Sequence, residues 1–284
     1  EAALTERGIE HIMYNKITTN PTTAAIYECT ELFRPMYSHD SFLVCSIGGG
    51  SPTDAAKSIC CLLEYPGDTG RSLYKVKFSP ERRAKLAVVN ITAGTGTEGD
   101  MFAVASILDE DIPLKPCLAT PLIYPDYSIN DPITLTSSAA FQTRFTAIDA
   151  LNHVTEAATT IIATPFSIPL GKEVSERVAR FLPRALVDPK DLSARYWLHY
   201  ADAIAGMAFA ESLLHITHAA EHTLSAYEPD LTHGLGLALI QPGVIRHVWP
   251  QAGKVLASGL APMLDGLTGE PAEAEEAVRR MRKW

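Results

Sequence analysis

The sequence has few cysteines, no excess of positive charge and no long apolar run, and each shortage excludes a class of protein. Its five cysteines are odd in number and lack C-x-x-C spacing, which argues against a disulfide framework and predicts a reducing cytoplasm. A formal net charge of −9 argues against nucleic acid or an anionic membrane surface as the main partner. No stretch approaches the roughly 18 to 20 apolar residues that span a bilayer. We therefore expect a globular cytoplasmic protein with a small-molecule partner, no nucleic acid and no membrane.

The first part of the chain alternates short apolar runs with helical patterns. Residues 9–15, 41–47 and 83–91 are predicted strands, and the intervening helical patterns predict a parallel sheet with helices on both faces. Beyond residue 133 the pattern is helical throughout. We therefore predict an α/β dinucleotide-binding domain over residues 1–133 and an all-helical domain over residues 134–284, with a cleft between them.

Two turns of small residues follow two of the predicted strands. Gly48–Gly50 precede a helix predicted to begin at Ser51 as its N-cap, where free N–H groups and the helix dipole favour a phosphate. Thr92–Thr97 follow the next strand with hydroxyls and small side chains. A tight structural turn explains the glycines alone as well as phosphate binding does. Two such turns at the carboxyl edge of one parallel sheet favour a dinucleotide.

Four of the nine histidines fall within one stretch, HITHAAEHTLSAYEPDLTHG. His215, His218 and His222 are spaced to share one helical face, and upstream Asp149 and His153 lie four residues apart. Imidazole nitrogens with one carboxylate oxygen suit Fe²⁺, Zn²⁺ or Ni²⁺. A single helical histidine is more often an ordinary core or surface residue, but this cluster favours a metal site.

Four motifs occur along the chain in this order: GGGSPTDAAK, ITAGTGTE, IDALNHVTEA, and HITHAAEH with THGLGLAL. In these motifs, and from about residue 9 to residue 250, the chain resembles the iron-containing (group III) alcohol dehydrogenases. The resemblance implies an N-terminal α/β domain, an all-helical C-terminal domain, a metal in the cleft between them, and a homodimer. It also implies that the opening strand and helix unit and the last helices of the family are absent from this chain.

The resemblance assigns roles to the histidine cluster. It implies that Asp149, His153, His218 and His233 ligate Fe²⁺, with Zn²⁺ or Ni²⁺ accepted by the same ligands. It places His222 beside the substrate as a candidate proton relay. His215 has no clear counterpart in the family, and we expect it to pack near the ligands.

The resemblance also implies an NAD or NADP site. The pyrophosphate is expected on the first turn, and the residues expected to line the cofactor are Gly49, Gly50, Ser51, Thr92, Thr95, Thr97 and Lys115.

The chain departs from the family pattern at several positions. Many members carry Asp-Gly where this chain has Asn15-Lys16, and a neutral residue followed by a cation should accept a 2′-phosphate. We therefore expect NADP(H) to be used at least as well as NAD(H), although an ordinary surface lysine explains Lys16 equally well. Asp100 replaces a usual threonine and adds a carboxylate near the cofactor cleft, and the loop between His222 and His233 is one residue longer than usual.

The expected activity is the metal-dependent, NAD(P)-linked interconversion of an alcohol and an aldehyde or ketone by hydride transfer. Two alternatives stay open from the sequence. A lyase of the dehydroquinate-synthase type would also use a metal and a nucleotide, and a non-catalytic fragment would bind metal alone. Steady formation of NAD(P)H from a simple alcohol would exclude both.

Overall fold

The computed structural model of the chain describes residues 1–75 and 79–284. The helices of its first half are α1 (Ala2–Glu6), α2 (Thr23–Phe33), α3 (Gly50–Glu64) and α4 (Gly70–Tyr74). The strands are β1 (Leu43–Gly48), β2 (Lys85–Asn90), β3 (Phe102–Val104), β4 (Cys117–Ala119) and β5 (Tyr127–Ile129). The second half contains α5 (Ala140–Thr159), α6 (Ser167–Val187), α7 (Leu192–Ser212), α8 (Ile216–Tyr227), α9 (His233–Gly259), α10 (Ala261–Leu264) and α11 (Ala274–Lys283).

The main sheet is parallel, with strand order β1-β2-β5, while β3 and β4 form a separate antiparallel pair. Parallel pairing of β1 with β2 brings the turns that follow them to one edge, as the sequence predicts. Val44 of β1 and Leu86 of β2 point into a core that α3 covers with Ile59 and Leu62. The predicted α/β fold with a parallel sheet is therefore confirmed.

The opposite face of this sheet is open, so the prediction of helices on both faces is wrong for the described part of the chain. Leu43 and Ile47 of β1 are 50% and 67% exposed, and Tyr127 of β5 is 64% exposed. We predicted helices on both faces because strands and helices alternate along the chain. The face that a helix covers is decided instead by its packing against the sheet and the other helices. Here α2 packs on α3, on the face that is already buried.

Residues 9–15 are irregular, so the strand predicted there is wrong. A strand forms only beside a partner strand, and the described residues provide none for this segment. Ile9 and Met13 are accordingly half exposed.

The helix after the glycine turn begins earlier than predicted. Gly49, not Ser51, is its N-cap, because the amide of Thr53 already donates to the carbonyl of Gly49 at 3.3 Å. Ser51 therefore sits in the first turn, where backbone N–H groups have no partner within the helix. Pro52 fits there because it lacks an N–H group.

The second half is helical, as predicted, with α5 packed against α6, α7 and α9. Leu151, Val154, Val178 and Trp249 belong to its hydrophobic core. The continuous helical pattern from α7 into α8 is interrupted at Leu213, whose φ of 61° leaves the helical region. None of the described helices combines the length and the apolar composition needed to cross a bilayer.

Candidate metal and cofactor site

Three imidazoles converge on one carboxylate in the second half of the chain. Nε2 of His153 and Nε2 of His218 each lie 3.4 Å from Oδ1 of Asp149, and Nε2 of His233 lies 3.7 Å from it. Ligand atoms about 2.1 Å from a tetrahedral ion would lie about 3.4 Å from one another. The ligand atoms of Asp149, His218 and His233 lie within 4.8 Å of one another, which fits a single metal ion, and His153 joins this group through its contact with Asp149. Glu221, His222 and His233 form a second group with the same spacing.

Packing between helices creates this arrangement. Asp149 and His153 lie one turn apart on the buried face of α5, each at most 4% exposed. The next residue after His233 is Gly234, where a Cβ atom would lie 2.1 Å from the carbonyl oxygen of Phe145 on α5. Only glycine allows that approach, which brings the start of α9, and His233 with it, against α5.

Two of the imidazoles are oriented by acceptors at their second nitrogen. Nδ1 of His153 donates to the carbonyl oxygen of Gly94 at 3.0 Å, and Nδ1 of His218 donates to the Glu156 carboxylate. Because each Nδ1 donates to its acceptor, Nε2 is the ring nitrogen that faces Asp149, and it can ligate a metal ion once it carries no proton. Metal-binding histidines are commonly fixed in this way.

The third imidazole has the same arrangement, since Nδ1 of His233 donates to the carboxylate of Glu221. We did not anticipate Glu156 or Glu221 from the sequence. Glu156 could have been found, because it lies seven residues after Asp149 and so shares its helical face. Glu221 gives no comparable signal, since its contact with His233 depends on the loop between α8 and α9.

The buried charges favour a cation. Burial raises the pKa of Asp149. The charges of His153 and His233 and the hydrogen bond from His218 outweigh burial and lower this pKa to about 2. Burial also raises the pKa of Glu156, and the hydrogen bond from His218 lowers it to about 2. Burial lowers the pKa of His153 to about 4. The site therefore presents ionised carboxylates with little water, and a divalent cation would offset their charge.

His222 and His215 lie around this cluster in different ways. The ring of His222 is half-buried, with its centroid 6.1 Å from that of His218 and 5.6 Å from that of His233. His215 is the N-cap of α8, off the shared helical face. Its Nε2 lies 2.9 Å from the Thr159 hydroxyl and its Nδ1 lies 3.4 Å from Glu156. As expected, His215 packs near the ligands; it contacts the carboxylate that orients His218.

The two small-residue turns pack against each other at the carboxyl ends of β1 and β2. A Cβ atom at Gly49 would lie 2.6 Å from the Thr92 side chain, and one at Gly50 would lie 2.8 Å from the Thr95 side chain. The Thr95 hydroxyl is buried and has no partner among the described residues. A bound cofactor could satisfy that hydroxyl. The close backbone approach and the unpaired first-turn amides of α3 fit a pyrophosphate.

The remaining expected cofactor residues have other contacts in the structure. The Thr97 hydroxyl donates to Asp54 at 2.6 Å, in the interior. The Lys115 ammonium lies 3.6 Å from Oε2 of Glu221, with its side chain only 5% exposed. Lys115 therefore lies beside a residue that orients a candidate metal ligand.

Asn15 and Lys16 are exposed, in the irregular segment before α2, and the Lys16 ammonium lies 3.0 Å from Glu28. Asp100 does not face the cleft. It is buried and accepts from the Lys57 ammonium at 2.6 Å and from the Phe102 amide at 2.7 Å.

Three imidazole nitrogens and a carboxylate oxygen, without a thiolate, form a donor set that fits Fe²⁺. Family models match nearly the whole chain: "Iron-containing alcohol dehydrogenase" over residues 1–132, and "Fe-containing alcohol dehydrogenase family, C-terminal" over residues 143–283. The chain belongs to the iron-containing alcohol dehydrogenases. It is an NAD(P)-linked oxidoreductase that uses Fe²⁺ and interconverts an alcohol and an aldehyde or ketone.

Individual relatives agree with this assignment. The chain is 45% identical to a long-chain primary alcohol dehydrogenase of Thermoanaerobacter ethanolicus, over 99% of this chain and 69% of that protein. It is 32% identical to an NADPH-dependent butanol dehydrogenase of Clostridium saccharobutylicum, over 86% of this chain and 61% of that protein. The crystal structure of a 1,3-propanediol oxidoreductase superposes with a TM-score of 0.85 at 28% identity, covering 99% and 72% of the two chains. These comparisons do not support the lyase or the non-catalytic fragment.

Proposed function

We propose that Asp149, His153, His218 and His233 are the ligands of the Fe²⁺ ion. The observation that carries this assignment is the convergence of three Nε2 atoms within 3.4 to 3.7 Å of one carboxylate oxygen, with each Nδ1 held by an acceptor. The same donors accept Zn²⁺ or Ni²⁺.

The cofactor is proposed to lie across the two turns. The amides of Gly50 and Ser51 are placed to hold the pyrophosphate, while Thr92 and Thr95 line the side of the neighbouring turn. Gly49 leaves room for the Thr92 side chain of the second turn. Lys115, next to the metal cluster, would face the nicotinamide end, and Thr97 would support the site through its bond to Asp54.

A bound Fe²⁺ ion would polarise the substrate oxygen, and a bound nicotinamide would exchange hydride with the substrate. The chain supplies position and proton transfer. Asp149 and the three imidazoles would hold the ion that binds the substrate oxygen, and the burial of Asp149, His153 and His218 excludes water from three sides of it. His222 is half-buried beside His218 and His233, so it can pass the proton of the alcohol toward solvent.

The substrate, the domain boundary, the cellular location and the oligomeric state are also proposed. We propose a primary alcohol and its aldehyde as the substrate pair, supported by the name of the relative at 45% identity. Two hydrophobic clusters support the division into domains at residue 133, since one lies in the first half and the other lies in the second half apart from Ala93 and Phe102. The free cysteines support a cytoplasmic location. A homodimer is proposed from the family resemblance.

The use of NADP(H) is proposed from Asn15 and Lys16. The test is the ratio of kcat/KM with NADPH to kcat/KM with NADH, measured for wild type and for Lys16→Ala. We expect wild type to accept both, and the substitution to lower the NADPH value. A strong preference for NADH that Lys16→Ala leaves unchanged would contradict the proposal.

Two histidine variants test the division of roles. We expect His218→Ala to lose the metal, because a ligand is removed. We expect His222→Ala to keep the metal while turnover falls about 10² to 10⁴-fold, the usual loss for a proton-transfer group. Metal analysis of anaerobically purified protein and steady-state rates with a primary alcohol measure both. Equal loss of metal in the two variants would contradict the assignment.

A further inference from the structure

Glu221 connects the metal cluster with the cofactor side of the cleft. It lies on α8 and is fully buried. Its Oε2 accepts from Nδ1 of His233 and also lies 3.6 Å from the Lys115 ammonium. Its Oε1 accepts from the Ser225 hydroxyl, one turn further along α8. One carboxylate oxygen therefore faces a proposed metal ligand and a proposed cofactor residue together.

The contact between Glu221 and Lys115 lies in the interior of the protein. The Lys115 side chain is only 5% exposed, and the Glu221 side chain is inaccessible. A buried carboxylate is costly unless it is paired and hydrogen-bonded, and Glu221 has both kinds of partner. The bond from Ser225 holds the carboxylate group on its other side, so Oε2 is kept directed at His233 and Lys115.

We propose that Glu221 is a positioning residue that fixes the imidazole of His233 for metal binding and holds the Lys115 ammonium in place for the cofactor. This inference rests on the proposed roles of His233 and Lys115. In this proposal Glu221 is not itself a ligand of the metal and does not contact the reacting atoms. It acts through its two neighbours, and it makes the metal site and the cofactor site depend on one side chain.

The two duties of Glu221 differ in what they require. Orienting His233 needs an oxygen that accepts the Nδ1 proton, and a glutamine amide oxygen can do this. Holding Lys115 needs negative charge, which glutamine lacks. Burial lowers the pKa of Lys115 and Glu221 raises it, so without that charge the lysine moves or becomes neutral. Either change weakens its hold on an anionic cofactor.

Glu221→Gln and Glu221→Ala therefore separate the two duties. We expect Glu221→Ala to lower the affinity for Zn²⁺ about 10 to 100-fold, the usual effect of losing an orienting partner. Glu221→Gln should keep the affinity within roughly threefold of wild type. Both variants should weaken NADH binding by the metal-free protein to a similar degree. Chelator competition measures the first quantity and NADH fluorescence the second, and the visible spectrum of the Co²⁺-loaded protein reports the ligand geometry.

Three further variants complete the design. Glu228→Ala removes the same charge from an exposed position close by and should change neither affinity. Lys115→Ala should weaken NADH binding, and adding Glu221→Gln to it should weaken NADH binding no further. If Glu221→Ala fails to fold, Glu221→Gln and this double variant still decide the Lys115 half of the proposal.

His233→Ala separates failure of the proposal from failure of the proposed function. If His233→Ala binds Zn²⁺ as tightly as wild type, the ligand assignment itself is wrong. If it loses the metal while Glu221→Ala keeps wild-type affinity for both Zn²⁺ and NADH, the role of Glu221 is overturned. A Glu221→Gln protein that loses the metal as fully as Glu221→Ala would overturn the separation of the two duties.

Discussion

At the scale of single residues, Lys57 and Asp100 form an ion pair inside the first half of the chain. The Lys57 ammonium is fully buried, and it donates to the Asp100 carboxylate and to the carbonyl of Phe102 at 2.7 Å. Removing one partner of a buried pair leaves an uncompensated charge, which costs more than the pair contributes.

We therefore predict that Asp100→Ala lowers the free energy of unfolding by about 3 to 5 kcal/mol. Replacing both partners, as in Lys57→Met with Asp100→Leu, should cost less than Asp100→Ala alone, because the two charges of the pair are removed together. The remaining cost comes from the buried Asp54 carboxylate, whose pKa is raised by burial and lowered by the Lys57 charge in the wild type. Denaturant unfolding of the three proteins measures this. If Asp100→Ala unfolds within about 1 kcal/mol of wild type, this ion pair does not stabilise the fold as argued.

The residues of the site were predictable to different degrees. Asp149 and His153 are readable from spacing along one helix, and His218 and His233 from the motifs. Not all acceptors at Nδ1 of the histidine ligands could be predicted from the sequence, because the contact of Glu221 with His233 arises where two helices meet. Asp100 was expected near the cleft, but its contact with Lys57 could be seen only once α3 had been placed.

At the scale of elements, the approach of α9 to α5 positions His233. Gly234 touches the backbone of α5, whereas Gly243 in the same helix has no atom within 4 Å of the position of a Cβ. The two glycines therefore form a matched pair within one helix, one at a contact and one in open space.

We predict that Gly234→Ala lowers the free energy of unfolding by about 1 to 3 kcal/mol, since the backbone of α5 must shift. It should also weaken metal binding by moving His233. Gly243→Ala should leave metal binding unchanged and stabilise the protein by up to about 1 kcal/mol, because alanine favours a helix. Thermal unfolding and chelator competition measure both quantities. Equal effects at the two positions would show that the contact with α5 does not position His233.

The elements themselves were largely predictable, and the exceptions have physical causes. β1, α3 and β2 lie where apolar runs and the glycine turn predicted them. The strand expected over residues 9–15 does not form, because a strand needs a partner strand and the described residues provide none there. The break between α7 and α8 was missed because no proline or glycine marks Leu213. That break takes His215 out of the helix that carries His218.

At the scale of the whole molecule, the metal cluster joins α5 to two helices that follow much later in the sequence, α8 and α9. The proposed ligands come from α5, α8 and the first residue of α9. An ion bound only by the folded chain stabilises it by an amount set by its concentration and affinity, about 2.7 kcal/mol at one hundred times the Kd.

We predict that removing the metal lowers the Tm of wild type and that adding it back restores the Tm. His222→Ala should show the same metal-dependent shift, because all four proposed ligands remain. His218→Ala should show none. Calorimetric scans with and without a chelator provide the measurement, and a full shift in His218→Ala would remove that residue from the ligand set.

We propose that one ion lies between Asp149, His153, His218 and His233, and anomalous diffraction from crystals can locate that ion. A crystal of the metal-loaded protein, measured on both sides of the absorption edge of the metal, should show one strong peak. We expect this peak to lie about 2.1 Å from the three Nε2 atoms and from a carboxylate oxygen of Asp149. A peak held instead by Glu221, His222 and His233, or no peak among the three imidazoles, would rule out this ligand set.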